Sequence, residues 1–275
     1  MSGKSPFMQK IKEVLLNIDP EVLSYNEKEF WLYERYYDYV KRYAAERRLT
    51  YTAIALPLVR GLHDGTYRKF SIVKDGVSYR LPYVIHCLKI CCTLIDLQVP
   101  LEIEDEDTVL ASALCHDMIE DLPFANGGRE LYTDYCLSEE IYQTVVILSK
   151  RRDFSPEEET EHFRKIQENP LALLVKLADR ENNVEDLYNM PLWKMHEYVE
   201  ETRVRIFPMC VYAKLNYPYI KSAFVILEDK MKNLTEIAEV LVGRYEEQEE
   251  RMLARLEMLE RENLQLRQMM IELAL

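Results

Sequence analysis

A chain of 275 residues holds one ordinary domain plus an appendage, or two small domains, and can bury a sizeable core. Only 7 Gly, with 48% hydrophobic and 30% charged residues, points to a helix-rich protein. The formal net charge of −13 argues against general nucleic-acid binding, although a metal and local Lys or Arg can reverse the field inside a pocket and admit a small anion.

The N-terminal stretch "MSGKSPFMQKIKEVLLNI" repeats apolar positions at helical spacing (Phe7, Ile11, Val14, Leu15) until Asp19-Pro20 closes it. It lacks the long apolar core and small-residue cleavage site of a signal peptide. No apolar run is long enough to span a bilayer, so no membrane partner is expected. The six cysteines (Cys87, Cys91, Cys92, Cys115, Cys136 and Cys210) fall mostly in apolar runs, with no CxxC pair. They read as core thiols of a reducing compartment, and the expected location is the cytoplasm.

Residues 26–48 are expected to form a long helix with a Tyr and Phe ridge, and 49–62 another. Asp75-Gly76 between two β-favouring runs is the strongest hairpin signal in the chain. A helix resumes at Tyr83 and runs to about Leu97, and the segment 105–121 follows. "LPFANGGRE" is a loop, then helices are expected near 138–150, 156–168, 170–188 and 191–215. Pro218 and Tyr219 mark a bend before one more helix. From about residue 234 Gly and Pro nearly vanish. Met252, Leu259, Leu266 and Leu273 recur every seven residues, with Leu256, Asn263 and Met270 interleaved. This is the 3-4 spacing of a coiled-coil seam with one Asn at an a position, which predicts a homodimer; the alternative is a lone amphipathic helix packed on its own domain.

The residues that carry chemistry interrupt apolar runs. "TVLASALCHDMIED" presents His116, Asp117, Glu120 and Asp121 within two turns. Imidazole beside carboxylate suits a first-row divalent ion and is the pattern of a metal-dependent phosphohydrolase. A catalytic ion usually takes at least three protein ligands. "LPYVIHCLKICCTL" offers His86, which alone would read as a core residue. "LALLVKLADRENNVEDL" offers Asp179, a charge that is costly in such a run unless paired or metal-bound, with Asn183 at i+4. His162 and His196 lie in polar contexts and read as surface residues, and His63-Asp64 reads as a turn. Lys150, Arg151, Arg152, Arg164 and Lys165 are local cations that either face an anionic substrate or are solvated helix ends.

The pieces "HDGTYRK", "PYVIH", "ALCHDMIED" and "KLADRENNV" stand in an order and spacing similar to the hydrolase domain of RelA/SpoT homologues, over roughly residues 25–215. The resemblance implies an HD-domain bundle. Together with the patterning above, the expected fold is all-α: an HD-type domain over 1–225 carrying a small β-hairpin insertion, and a C-terminal coiled-coil helix over 226–275. It implies a divalent ion, typically Mn²⁺, held by His86, His116, Asp117 and Asp179, with Glu120 and Asp121 serving water and proton transfer. Arg68 and Lys69 would flank the nucleotide, Arg68 packing on the base, and Asn183 would contact the nucleoside. The implied activity is removal of the 3′-pyrophosphate from ppGpp or pppGpp by a stand-alone hydrolase. A broader nucleotide phosphatase, for example on the 2′-phosphate of NADPH, and a non-catalytic dimeric module stay open. The sequence departs from the family where "FSIVKDGVSYRL" separates Arg-Lys from the ligand His, where Thr66 replaces Gln, and where Glu181-Asn182 replaces Leu-His.

Overall fold

The computed structural model describes residues 27–274 apart from 69–71, 75, 76, 123 and 152. Lys69, Arg152, Asp75-Gly76 and the helix expected over residues 5–17 therefore lie outside the described residues.

The fold is a bundle of helices. In chain order they are α1 (Glu27–Arg47), α2 (Thr50–Leu62), α3 (Tyr83–Asp96), α4 (Ile103–Cys115), α5 (Met118–Asp121), α6 (Glu130–Thr133), α7 (Glu139–Leu148), α8 (Pro156–Glu168), α9 (Pro170–Glu185), α10 (Leu192–Glu201), α11 (Phe207–Asn216) and α12 (Lys221–Ala274). Between α2 and α3 the strands β1 (Ile72–Lys74) and β2 (Val77–Tyr79) pair antiparallel. Their base is closed by a bridge between Tyr67 and Pro82, with Arg68 N donating to Leu81 O and Tyr83 N to Thr66 O. This closure carries Arg68 back beside the start of α3.

Helices α3, α4 and α9 form the centre because α3, the C-terminal half of α4 and the N-terminal half of α9 are apolar nearly all round. Every α4 residue from Asp107 to Cys115 is buried, as are most of α9 and α3. Asn169 accepts from the backbone N–H groups of Leu171 and Ala172, and Pro170 stands at the first position of α9, so both local start signals agree. The start of α2 has no cap of its own; the buried Asp107 of α4 accepts from Tyr51 N at 2.8 Å and Thr52 N at 2.7 Å instead. That long-range cap ties α2 to α4 and had no local signal in the sequence. The six cysteines are unpaired, five of them buried.

Two expectations need correction. The helix expected over 191–215 is interrupted by a π-helical turn, Thr202–Ile206. Pro208 follows it and lacks the N–H that would bond Val204, so the ladder shifts register there. His162 is not a surface residue: it is buried between Phe154 and Phe163 at ring distances of 5.5 and 5.7 Å. The turn residue His63 is buried as well, 4.9 Å from the Tyr83 ring. His196 is exposed and bonds Glu246.

Burial pulls the pKa of His63 and His162 down to about 4; Asp117 opposes this at His63, and Lys176 and Lys150 add to it at His162. Between pH 4 and 6.5 the unfolded chain binds more protons, so this share of stability is intact above about pH 6.5 and lost as pH falls towards 4. Each group carries up to about 3 kcal/mol. Denaturant titrations at pH 7 and 4.5 should show the loss, and His162→Gln should reduce it. An identical pH slope in the variant would contradict this origin.

Candidate metal centre

Three elements meet at one end of the bundle core. His86 lies in the first turn of α3, His116 and Asp117 form the break between α4 and α5, and Asp179 lies in the third turn of α9. The HD pair sits where α4 ends rather than inside a continuous helix, and this brings Asp117 Oδ2 to 2.9 Å from His116 Nε2. Behind α5, Gly128 has φ +81° and a Cβ there would meet Ile119 Cγ1 at 2.3 Å, so the "NGG" loop packs closely under the acidic turn.

His86, His116 and Asp179 present ligand atoms within 4.8 Å of one another, and all three are buried. His86 Nε2 is 3.3 Å from Asp179 Oδ1 and 4.0 Å from Asp117 Oδ2, and His116 Nε2 is 3.7 Å from Asp179 Oδ1. Ligand atoms held at ~2.0–2.2 Å around one ion stand roughly 3–3.5 Å apart. The observed separations suit a shared ion after small adjustments.

The second layer points the same way. His86 Nδ1 is 2.6 Å from Asn182 Oδ1 and His116 Nδ1 is 2.9 Å from Ala113 O. Each ring therefore donates from Nδ1 and turns a bare Nε2 inward, as metal-binding histidines do. His116 Nε2 is buried beside the Asp117 and Asp179 carboxylates but makes no well-aligned hydrogen bond among the described residues, an arrangement that a cation shared with those oxygens satisfies. The Tyr83 hydroxyl donates to Asp117 Oδ2, and Asn183 Nδ2 donates to Asp179 Oδ1 at 2.6 Å. Burial and the neighbouring carboxylates push the Tyr83 pKa far up, so the hydroxyl stays protonated as a donor.

The charges favour a cation. Burial alone would lower the pKa of His116, yet the Asp117 and Asp179 carboxylates raise it well above the usual range. Burial would raise both carboxylates, but His116 pulls Asp117 down, and Lys176, His116 and His86 pull Asp179 well below its ordinary value. The field that favours a proton on His116 favours a divalent cation in its place.

A cavity of about 240 Å³ opens over this group. Glu120, Asp121, Arg68 and Asn183 line it, as do Lys150, Lys176 and Arg180. Glu120 Oε1 accepts the Lys150 backbone N–H at 2.6 Å, and burial pushes its carboxyl pKa upward. Arg68 Nη2 donates to Asn183 Oδ1 at 2.8 Å, lies 3.5 Å from Asp186, and holds its guanidinium 5.9 Å from the Tyr83 ring centre. Arg180 is buried, pairs with Glu201, and keeps Nε and Nη1 without hydrogen-bond partners among the described residues. The other expected cations are placed elsewhere: Arg164 pairs with Glu161 and Glu168, and Arg151 with Glu158 and Asp153, all on the surface.

Sequence reasoning missed Asn182, Tyr83 and Arg180. The only signal for Asn182 was that it differs from the RelA/SpoT pattern the sequence resembles; its place is explained by the hydrogen bond to His86. Asn182→Ala should weaken divalent-ion affinity by roughly 10–100-fold while leaving the helical content unchanged. Calorimetric titration checks this; equal affinity would show that packing alone orients His86. No family model matches the chain.

Proposed function

We propose that the protein is a metal-dependent phosphohydrolase that removes the 3′-pyrophosphate of ppGpp and pppGpp. The observation that carries the reading is the composition of one cavity: a buried His/Asp group fit for a divalent ion, three further acids (Glu120, Asp121 and Asp186), and four cationic side chains. Phosphoryl transfer needs those three parts together, and the resemblance to the RelA/SpoT hydrolase domain supplies the substrate.

His86, His116, Asp117 and Asp179 hold the ion, with Mn²⁺ the proposed metal. Such an ion acidifies water and draws charge from a phosphoryl oxygen. Glu120 and Asp121 orient the attacking water, and Glu120, with its raised pKa, holds the proton that water gives up. Lys150, Lys176 and Arg180 offset the charge of the phosphate chain. Arg68 stacks on the base and Asn183 contacts the nucleoside. Lys69 keeps the role implied by the resemblance. One water is consumed per turnover: ppGpp yields GDP and pyrophosphate, and pppGpp yields GTP and pyrophosphate.

A Mn²⁺-loaded substrate panel scored for pyrophosphate against orthophosphate tests the reading. Pyrophosphate from 3′-diphosphorylated guanine nucleotides is expected. Orthophosphate from NADPH alone would move the substrate to 2′-phosphorylated nucleotides, and no release from any nucleotide would leave a binding module. Arg68→Ala should raise KM for guanine nucleotides by roughly 5–150-fold, the equivalent of ~1–3 kcal/mol of stacking, with metal content unchanged. An unchanged KM would place the base away from Arg68.

A further inference from the structure

The final helix α12 has two unlike halves. Ala223, Phe224, Leu227, Met231, Ala238 and Val242 are buried against the body. Every residue from Arg244 to Met270 is exposed. That is roughly 40 Å of helix left uncovered among the described residues. Along it Met252, Leu256, Leu259, Leu266 and Met270 are 43–70% exposed and share one stripe. In proteins most helical stability comes from packing of an apolar face rather than from propensity. Here the packed half has already nucleated it, so the free half needs only a partner for its apolar face.

We propose that this half pairs with the same segment of a second copy of the chain as a parallel, in-register, two-stranded coiled coil. The heptad fixes the register. Leu256, Asn263 and Met270 occupy a, and Met252, Leu259 and Leu266 occupy d. A polar Asn at a is satisfied by its own copy across a parallel in-register seam; an antiparallel pairing sets it against a d-position Leu. The flanking charges make an independent argument. Arg255 and Glu262 occupy g, and Glu260 and Arg267 occupy e. In a parallel pair each g residue meets the e residue five positions on in the partner. Arg255 then faces Glu260 and Glu262 faces Arg267, so all four contacts across the two flanks join opposite charges. None of these four side chains makes an ion pair within its own chain among the described residues. Leu253 at e and Met269 at g extend the apolar strip at either end of the ionic stretch.

Five versions of the 275-residue chain test this. By light scattering the unaltered chain should have twice the 32.7 kDa mass of one chain. Leu259→Asp with Leu266→Asp, both at exposed positions, should have the single-chain mass with unchanged helical content. Arg255→Glu with Arg267→Glu makes both flanks acidic and should weaken dimerisation roughly tenfold or more; it should recover by pairing with a chain carrying Glu260→Arg and Glu262→Arg. Met270→Cys should form a disulfide between copies on mild oxidation, because a parallel seam sets position 270 against itself. A single-chain mass for the unaltered protein, a dimer mass that survives both Asp substitutions, a mass of three or more chains, or no disulfide at position 270 would each overturn the proposal. Capture of a different protein by the unaltered chain without self-association would overturn it too.

Discussion

Asp179→Asn should abolish tight divalent-ion binding and lower turnover by at least about 10³-fold, the largest effect expected of any near-isosteric change in this protein. Asp179 Oδ1 lies 3.3 Å from His86 Nε2 and 3.7 Å from His116 Nε2, so it joins the α3 side of the site to the α4 side. The substitution keeps the shape, the hydrogen bond with Asn183 and the packing of α9. It removes the charge that balances the Lys176 ammonium at 3.1 Å. Some stability should go with it. The folded-state pKa of Asp179 lies below its ordinary value, so this carboxylate contributes stability at neutral pH that is lost as pH falls through the carboxylate range. Metal analysis by mass spectrometry, with a thermal melt beside it, separates the two effects. Full metal content in a folded Asp179→Asn protein would show that the ion is held elsewhere.

Glu120→Gln should behave in the opposite way. Metal content and fold are retained, and turnover falls by about 10²–10⁴-fold, the range for loss of a positioned proton acceptor. The amide keeps an oxygen that can accept the Lys150 N–H, so the loop after α7 stays in place. What is lost is a carboxyl group whose burial has shifted its pKa upward, towards the pH at which it can take and return a proton. The pH profile of kcat should lose its acidic limb in the variant. An unaltered kcat would pass the role to Asp121, which faces the same cavity.

How much of this could be read before the structure depends on whether a residue's role leaves a local trace. The helical class was legible because Gly is scarce and apolar residues recur at helical spacing. Asp179 was legible because it interrupts an apolar run, where an unpaired charge is costly; His86 alone read as a core residue and stood out only through its order with His116-Asp117 and Asp179. Their convergence with His116 follows from α3, α4 and α9 forming one core. Residues that act through others left no such trace. Asn182 and Tyr83 are ordinary polar residues at helix positions, and only the third dimension shows that they orient His86 and Asp117. Asp107 caps a helix more than fifty residues away along the chain. His162 and His63 sit among charged and turn-forming neighbours in sequence, yet the fold closes aromatic rings over both. The break at His116-Asp117 was hidden because no Gly or Pro marks it.

The most direct test of the central claim is anomalous diffraction from crystals of the protein grown with Mn²⁺. The account predicts one strong peak per chain, ~2.0–2.4 Å from His86 Nε2, His116 Nε2, Asp179 Oδ1 and an Asp117 carboxylate oxygen. A peak bound only by surface carboxylates, or none between α3, α4 and α9 at saturating Mn²⁺, would contradict it.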